Sequence, residues 1–198
     1  MHFLKAPFIL FASTSNHPSK TFSFQNERLQ NAAQLFPEAT LLLEQEKYKE
    51  SCDLYMQGIF LSRKVVQELQ QEQNDLTDDP KLALDWMIES YIQCSKARIA
   101  MGDVNTARSD AWAACSFSNN ENVDALLCML TVCELQEDTM GQLQTYKSIE
   151  NWMKNRDMEE LTRSLDKENN ETLTLEIICD RIVELTRILD ELHDINKK

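Results

Sequence analysis

The chain has 198 residues, 42% hydrophobic and 27% charged, with only three glycines and four prolines. That scarcity disfavours turn-rich β architectures and the glycine loops of nucleotide-binding folds. A formal net charge of −13 repels phosphate backbones, so no direct nucleic-acid binding is expected, and basic peptides or protein surfaces are the natural electrostatic partners.

Taken in chain order, residues 1–30 read as a poorly structured leader. Its first 26 positions hold no acidic residue, carry Lys5 and Lys20, and include the short apolar run Phe8–Ala12. A targeting peptide is the other reading of this segment. Residues 31–156 then read as helix, short turn, helix, repeated. The first clear helix opens at Phe36-Pro37-Glu38, with Pro37 in its first turn, and runs to about Glu46. A missing N–H costs little at that position. Further helices are expected over Tyr48–Gln73, Lys81–Met101, Asn105–Phe117, Asn122–Gln136 and Met140–Lys154. The breaks between them fall at Asn74–Pro80, Gly102-Asp103, Ser118–Glu121 and Glu137–Thr139, where turn and cap residues cluster. Residues 157–170 form a charged linker and 171–195 a last helix. No segment alternates apolar and polar residues long enough to predict a strand.

Six cysteines (52, 94, 115, 128, 133 and 179) form no Cys-x-x-Cys pair and mostly sit in apolar helical runs, where a free thiol acts as a small hydrophobe. A reducing compartment, cytoplasm or nucleus, is expected from this usage. Their spacing fits no zinc site, and His2, His17 and His193 lie near the chain ends, so neither metal nor cofactor is expected. No stretch reaches the roughly 20 apolar residues of a membrane-spanning helix, and no membrane association is expected. Asp157, Glu159 and Glu160 have no histidine nearby to tune them and read as a solvated face rather than a catalytic pair. No catalytic residue is expected, and the chain does not read as an enzyme.

Two adjacent units align at a spacing of 34 residues, with Cys94 over Cys128, Met101 over Leu135, Ala107 over Gly141 and Ala114 over Ser148. Small residues recur where helix backbones approach, and larger ones where a groove must be filled. An earlier unit has Ser51 in the place of Ala107, followed by Tyr55 and Gly58, at an offset of 56. The segment Ala100-Met101-Gly102-Asp103-Val104-Asn105-Thr106-Ala107 carries the likeness: the chain resembles the tetratricopeptide repeat family over residues 35–154. It departs from the family in lacking a first-helix tryptophan and in carrying Arg63, Asn119 and Met153 where a closing proline is usual.

The resemblance implies an all-α protein, a short right-handed α-solenoid of helical hairpins that acts as a protein-interaction adaptor. The first helix of each pair would line a concave groove for a helical or basic peptide. By position, the lining is Phe36 and Leu43, then Ile92, Lys96 and Ile99, then Val123, Leu126, Leu130 and Cys133. The family's carboxylate clamp for chaperone tails is not reproduced, since its places carry Ile92, Lys96, Leu126 and Leu130. The layout of a long second helix, an acidic insert and the run Ala125–Leu130 also resembles the meiosis-specific tetratricopeptide scaffolds of crossover and synaptonemal-complex assembly.

The last helix carries Leu175, Ile178, Ile182, Leu185, Leu189 and Leu192 at alternating three- and four-residue steps. As a capping helix of a monomer it would bury this stripe on its own domain. As a coiled-coil seam it would instead make the chain a subunit that assembles through its C-terminal helix.

Overall fold

A computed structural model describes residues 27–71, 78–154 and 175–195. The expected leader up to residue 26, the acidic insert at 72–77 and the 157–170 linker lie outside the described residues. Among the described residues seven helices follow one another: α1 (Glu27–Glu44), α2 (Tyr48–Gln71), α3 (Asp78–Ala100), α4 (Val104–Phe117), α5 (Val123–Leu135), α6 (Thr139–Lys154) and α7 (Leu175–Ile195). There is no strand among the described residues. Each helix packs on the next in sequence, and α3 also touches both α1 and α5, which puts the first three odd-numbered helices in one layer.

The first helix starts nine residues earlier than its proline suggested, so Pro37 stands inside it rather than in its first turn. An internal proline removes one backbone hydrogen bond. The extension is held by side chains instead. Leu29 and Ala32 are fully buried, and Leu29 clusters with Val65 of α2 and Ala83 of α3. Just after the proline, the Thr40 hydroxyl donates to the Phe36 carbonyl at 2.9 Å and shares a 2.8 Å hydrogen bond with the Tyr55 hydroxyl.

Four tight connections share one backbone form. Glu46, Gly102, Asn119 and Glu137 each adopt a positive φ (59°, 79°, 51° and 54°) just past a helix end. In each, the N–H of the left-handed residue returns to the carbonyl three back, and the next N–H returns to the carbonyl five back, as in Gly102 to Ile99 and Asp103 to Arg98. This double bond pattern satisfies carbonyls that a helix C-terminus leaves open. Only one of the four positions is glycine, the residue that meets no Cβ penalty there. Nothing lies within 4 Å of a Cβ added to Gly102, so its replacement tests backbone strain alone. Gly102→Ala is expected to cost about 1 kcal/mol, and Glu137→Gly to gain a similar amount. Thermal melts should move a few degrees in opposite directions, roughly 2–4 °C per kcal/mol for a chain of this size. Equal midpoints for both variants and the parent would refute the account.

The hairpins repeat in their contacts as well as their turns. Ser51 Oγ donates to the Ala39 carbonyl at 2.7 Å, and Ser95 Oγ to the Ala107 carbonyl at 3.0 Å. The second bond is the first moved on by 56 residues, with the serine on the other helix of the pair. From the second hairpin to the third the offset is 35, not the 34 read from the sequence. Gly102 and Glu137 are 35 apart, as are the helix-capping aspartates Asp103 and Asp138, whose carboxylates accept from the N–H groups of Thr106 and Gly141. Gly141 therefore corresponds to Thr106 rather than Ala107. It is small for a local reason: an added Cβ would lie 2.7 Å from Cys133 Sγ and 2.6 Å from an Asp138 oxygen.

A candidate partner-binding face

The odd-numbered helices position the residues that the sequence suggested for a groove. A row that steps back 13, 10, 6 and 3 residues from each left-handed turn residue picks out comparable positions. On α1 these are Ala33, Phe36, Thr40 and Leu43; on α3, Glu89, Ile92, Lys96 and Ile99; on α5, Asp124, Leu127, Thr131 and Glu134. All four on α1 are half-buried. On α3, Glu89 is exposed, Lys96 and Ile99 are half-buried, and Ile92 is buried. On α5, Asp124 and Glu134 are exposed while Leu127 and Thr131 are half-buried.

The one-residue difference in offset decides which side of α5 faces outward, because one residue is about 100° of helix. The expected lining residues Leu126, Leu130 and Cys133 face the interior, 2%, 7% and 0% exposed, and Val123 packs against the same core. The outward row is Asp124, Leu127, Thr131 and Glu134, which the 34-residue alignment passed over. On α1 and α3 the expected Phe36, Leu43, Ile92, Lys96 and Ile99 do fall on the row. Two of them nonetheless pack inward. Ile92 is 1% exposed. The Phe36 ring wedges between helices, 5.1 Å from Trp86 and 6.3 Å from Tyr55, against the bare backbone of Gly58. What a partner can reach is therefore Leu43, Lys96 and Ile99 together with the row on α5.

Charge gathers between α3 and α5. Burial pushes the Cys128 thiol up to about 12; Lys96 opposes that shift, and Asp124 and Glu89 add to it. The rows on α3 and α5 carry Glu89, Asp124 and Glu134 against Lys96, an excess of carboxylates. The face combines half-buried aliphatic groups with a carboxylate excess. Compared with known proteins, the chain matches no family model and no curated protein. The assignment of a role therefore rests on this geometry.

The last helix has one side committed. Ile178 and Leu185 are buried in the core shared with Tyr146, Ile149 and Trp152, and Ile182 and Leu189 pack against it. Arg181 lies against Tyr146 of α6; beside them, desolvation holds the carboxyl of Glu134 on α5 above its ordinary value although its side chain keeps an open edge, with Arg181 and Tyr146 pulling the other way. The inner residues of the heptad-like stripe are thus spent within the chain. The side chains of Leu175 and Leu192 lie outside the described set. Among the described residues no helix is long and apolar enough to cross a membrane.

Proposed function

We propose that the chain is a tetratricopeptide-like solenoid that works as an adaptor, receiving a helical or extended segment of a partner protein on the layer formed by α1, α3 and α5. The observation that carries this reading is the common register of three hairpins, which aligns equivalent rows on adjacent helices of one layer. Such a surface suits recognition through spaced anchors rather than a single deep pocket. Ile99 and Leu127 supply apolar contact, and Glu89 and Asp124 favour a partner with basic residues beside its anchors. On this reading α7 is the cap that ends the stack, since its apolar stripe is already packed on α6.

The test compares Ile99→Asp with Leu127→Asp in one chain against Trp112→Ser, which alters the exposed outer face of α4. Both chains should keep their helical circular dichroism. Quantitative affinity capture should lose one set of partners, at least tenfold, with the first chain and retain it with the second. Unchanged capture by the first chain would remove the proposal. Loss with Trp112→Ser instead would move the docking surface to the even-numbered helices.

A further inference from the structure

The seam between the first and second hairpins holds two thiols. Cys52 on α2 and Cys94 on α3 are both buried, 5% and 0% exposed. Each sulfur is aimed at the backbone of the other residue: Cys52 Sγ lies 3.8 Å from the Cys94 carbonyl oxygen, and Cys94 Sγ lies 3.9 Å from that of Cys52. The reciprocity brings both sulfurs into one gap, in the cluster that also holds Ala39, Tyr55 and Ala97. The side-chain hydrogen bond with Cys94 lowers the Cys52 thiol against the upward push of burial, whereas the same bond and burial both raise Cys94. Cys52, which keeps a little surface where Cys94 keeps none, is the sulfur of the pair that an oxidant reaches first. Burial instead holds Cys115 and Cys128 well above the ordinary thiol range, at about 11 and about 12.

We propose that Cys52 and Cys94 are an oxidisable dithiol, a latch that covalently joins the first hairpin to the second when hydrogen peroxide reaches it. The Cys52 thiol loses its proton, and the thiolate attacks one peroxide oxygen. The O–O bond breaks, the released hydroxide takes up that proton to leave as water, and Cys52 becomes a sulfenic acid. The Cys94 sulfur then attacks the Cys52 sulfur, displacing hydroxide, which leaves as water with the Cys94 proton. The two thiols supply two electrons, one peroxide is reduced to two waters, and one S–S bond forms. Because α2 meets α3 at the junction of two hairpins, the bond would fix the angle between α1 and α3. The latch stands whether or not that layer binds a partner.

Treating the full chain with hydrogen peroxide tests it directly. Intact mass under denaturing conditions should fall by two hydrogen masses and recover with dithiothreitol. Non-reduced peptide mapping should join the Cys52 and Cys94 peptides. The oxidised chain should melt at a higher temperature, since the bridge closes a long loop. Cys94→Ser should abolish both the mass loss and the rise in midpoint. The proposal fails if peroxide adds oxygen only at the half-buried Cys179, if the cross-link joins another pair, or if Cys94→Ser still loses two hydrogens. Should that variant not fold, the peptide map of the unaltered chain decides the matter alone.

Discussion

Arg98→Met is expected to lose about 3 kcal/mol of stability at pH 7, and clearly less at pH 5. Arg98 on α3 pairs with Asp110 on α4 inside the second hairpin, with their side chains only 17% and 7% exposed. Removing one partner of such a pair strands the other charge in the interior, which typically costs about 3–5 kcal/mol. The pH dependence follows from the carboxyl. Burial raises Asp110 to about 6, with Arg98 pulling in the opposite direction. An unfolded aspartate titrates near about 3.9. Between those values the folded chain binds more protons than the unfolded one, so this group's contribution to stability falls as pH rises from about 4 to about 6. Without Arg98 the carboxyl titrates still higher, and the penalty grows until that higher value is passed. At pH 5 much of Asp110 is already protonated and needs the guanidinium less. Denaturant unfolding at the two pH values checks this. A second change, Asp110→Leu, should restore most of the loss. An Arg98→Met cost that is the same at both pH values, or that is not relieved by Asp110→Leu, would contradict the assignment.

The same position in the neighbouring hairpins shows why the pair is costly to break yet not required by the fold. Moved back by 56 residues, Arg98 and Asp110 become Leu42 and Leu54; moved on by 35, they become Cys133 and Thr145. Leu54 packs against the core of its hairpin, and Cys133 and Thr145 are both buried, the Thr145 hydroxyl donating to the Gly141 carbonyl at 2.8 Å. Three kinds of side chain thus stand at equivalent positions: leucines, an ion pair, and a thiol with a hydroxyl. Only the charged one makes the contact depend on pH.

The helical pattern was legible because helix-forming residues run between sharp local signals. Gly102-Asp103 and Ser118–Glu121 end and start helices where the sequence suggests, and Asp103 and Asn122 cap α4 and α5 by accepting from Thr106 and Ala125. The start of α1 was not legible, since Pro37 is a strong local signal and the burial of Leu29 against Val65 and Ala83 is a long-range effect. The repeat offset was misread for a related reason. Ala107 and Gly141 invite alignment because both are small, yet they are small for different neighbours, Ser95 in one case and Cys133 with Asp138 in the other. The better anchor is the aspartate that follows the left-handed residue, Asp103 and Asp138, whose side chains cap the next helix. That signal stands in the sequence at a spacing of 35. The left-handed Glu137 before the second of them was hidden, because glutamate does not advertise a positive φ.

The outward row on α5 yields the sharpest contrast, because it assigns opposite fates to adjacent leucines. Leu126→Asp is expected to abolish the folded state. Its side chain is 2% exposed within the central core, so the change forfeits about 2–5 kcal/mol of packing and adds the cost of a buried, unpaired carboxylate. The sum rivals the whole stability of a domain, about 5–15 kcal/mol. Leu127→Asp should leave a cooperative transition, lowered by about 1–2 kcal/mol, because Leu127 is only half-buried at the edge of that core and its carboxylate can turn to water. Circular dichroism and thermal unfolding of the two chains decide between the registers. With an offset of 34 the tolerant residue would be Leu126. Equal damage from both changes would mean that α5 has no outward face, and the adaptor surface would lose its third row.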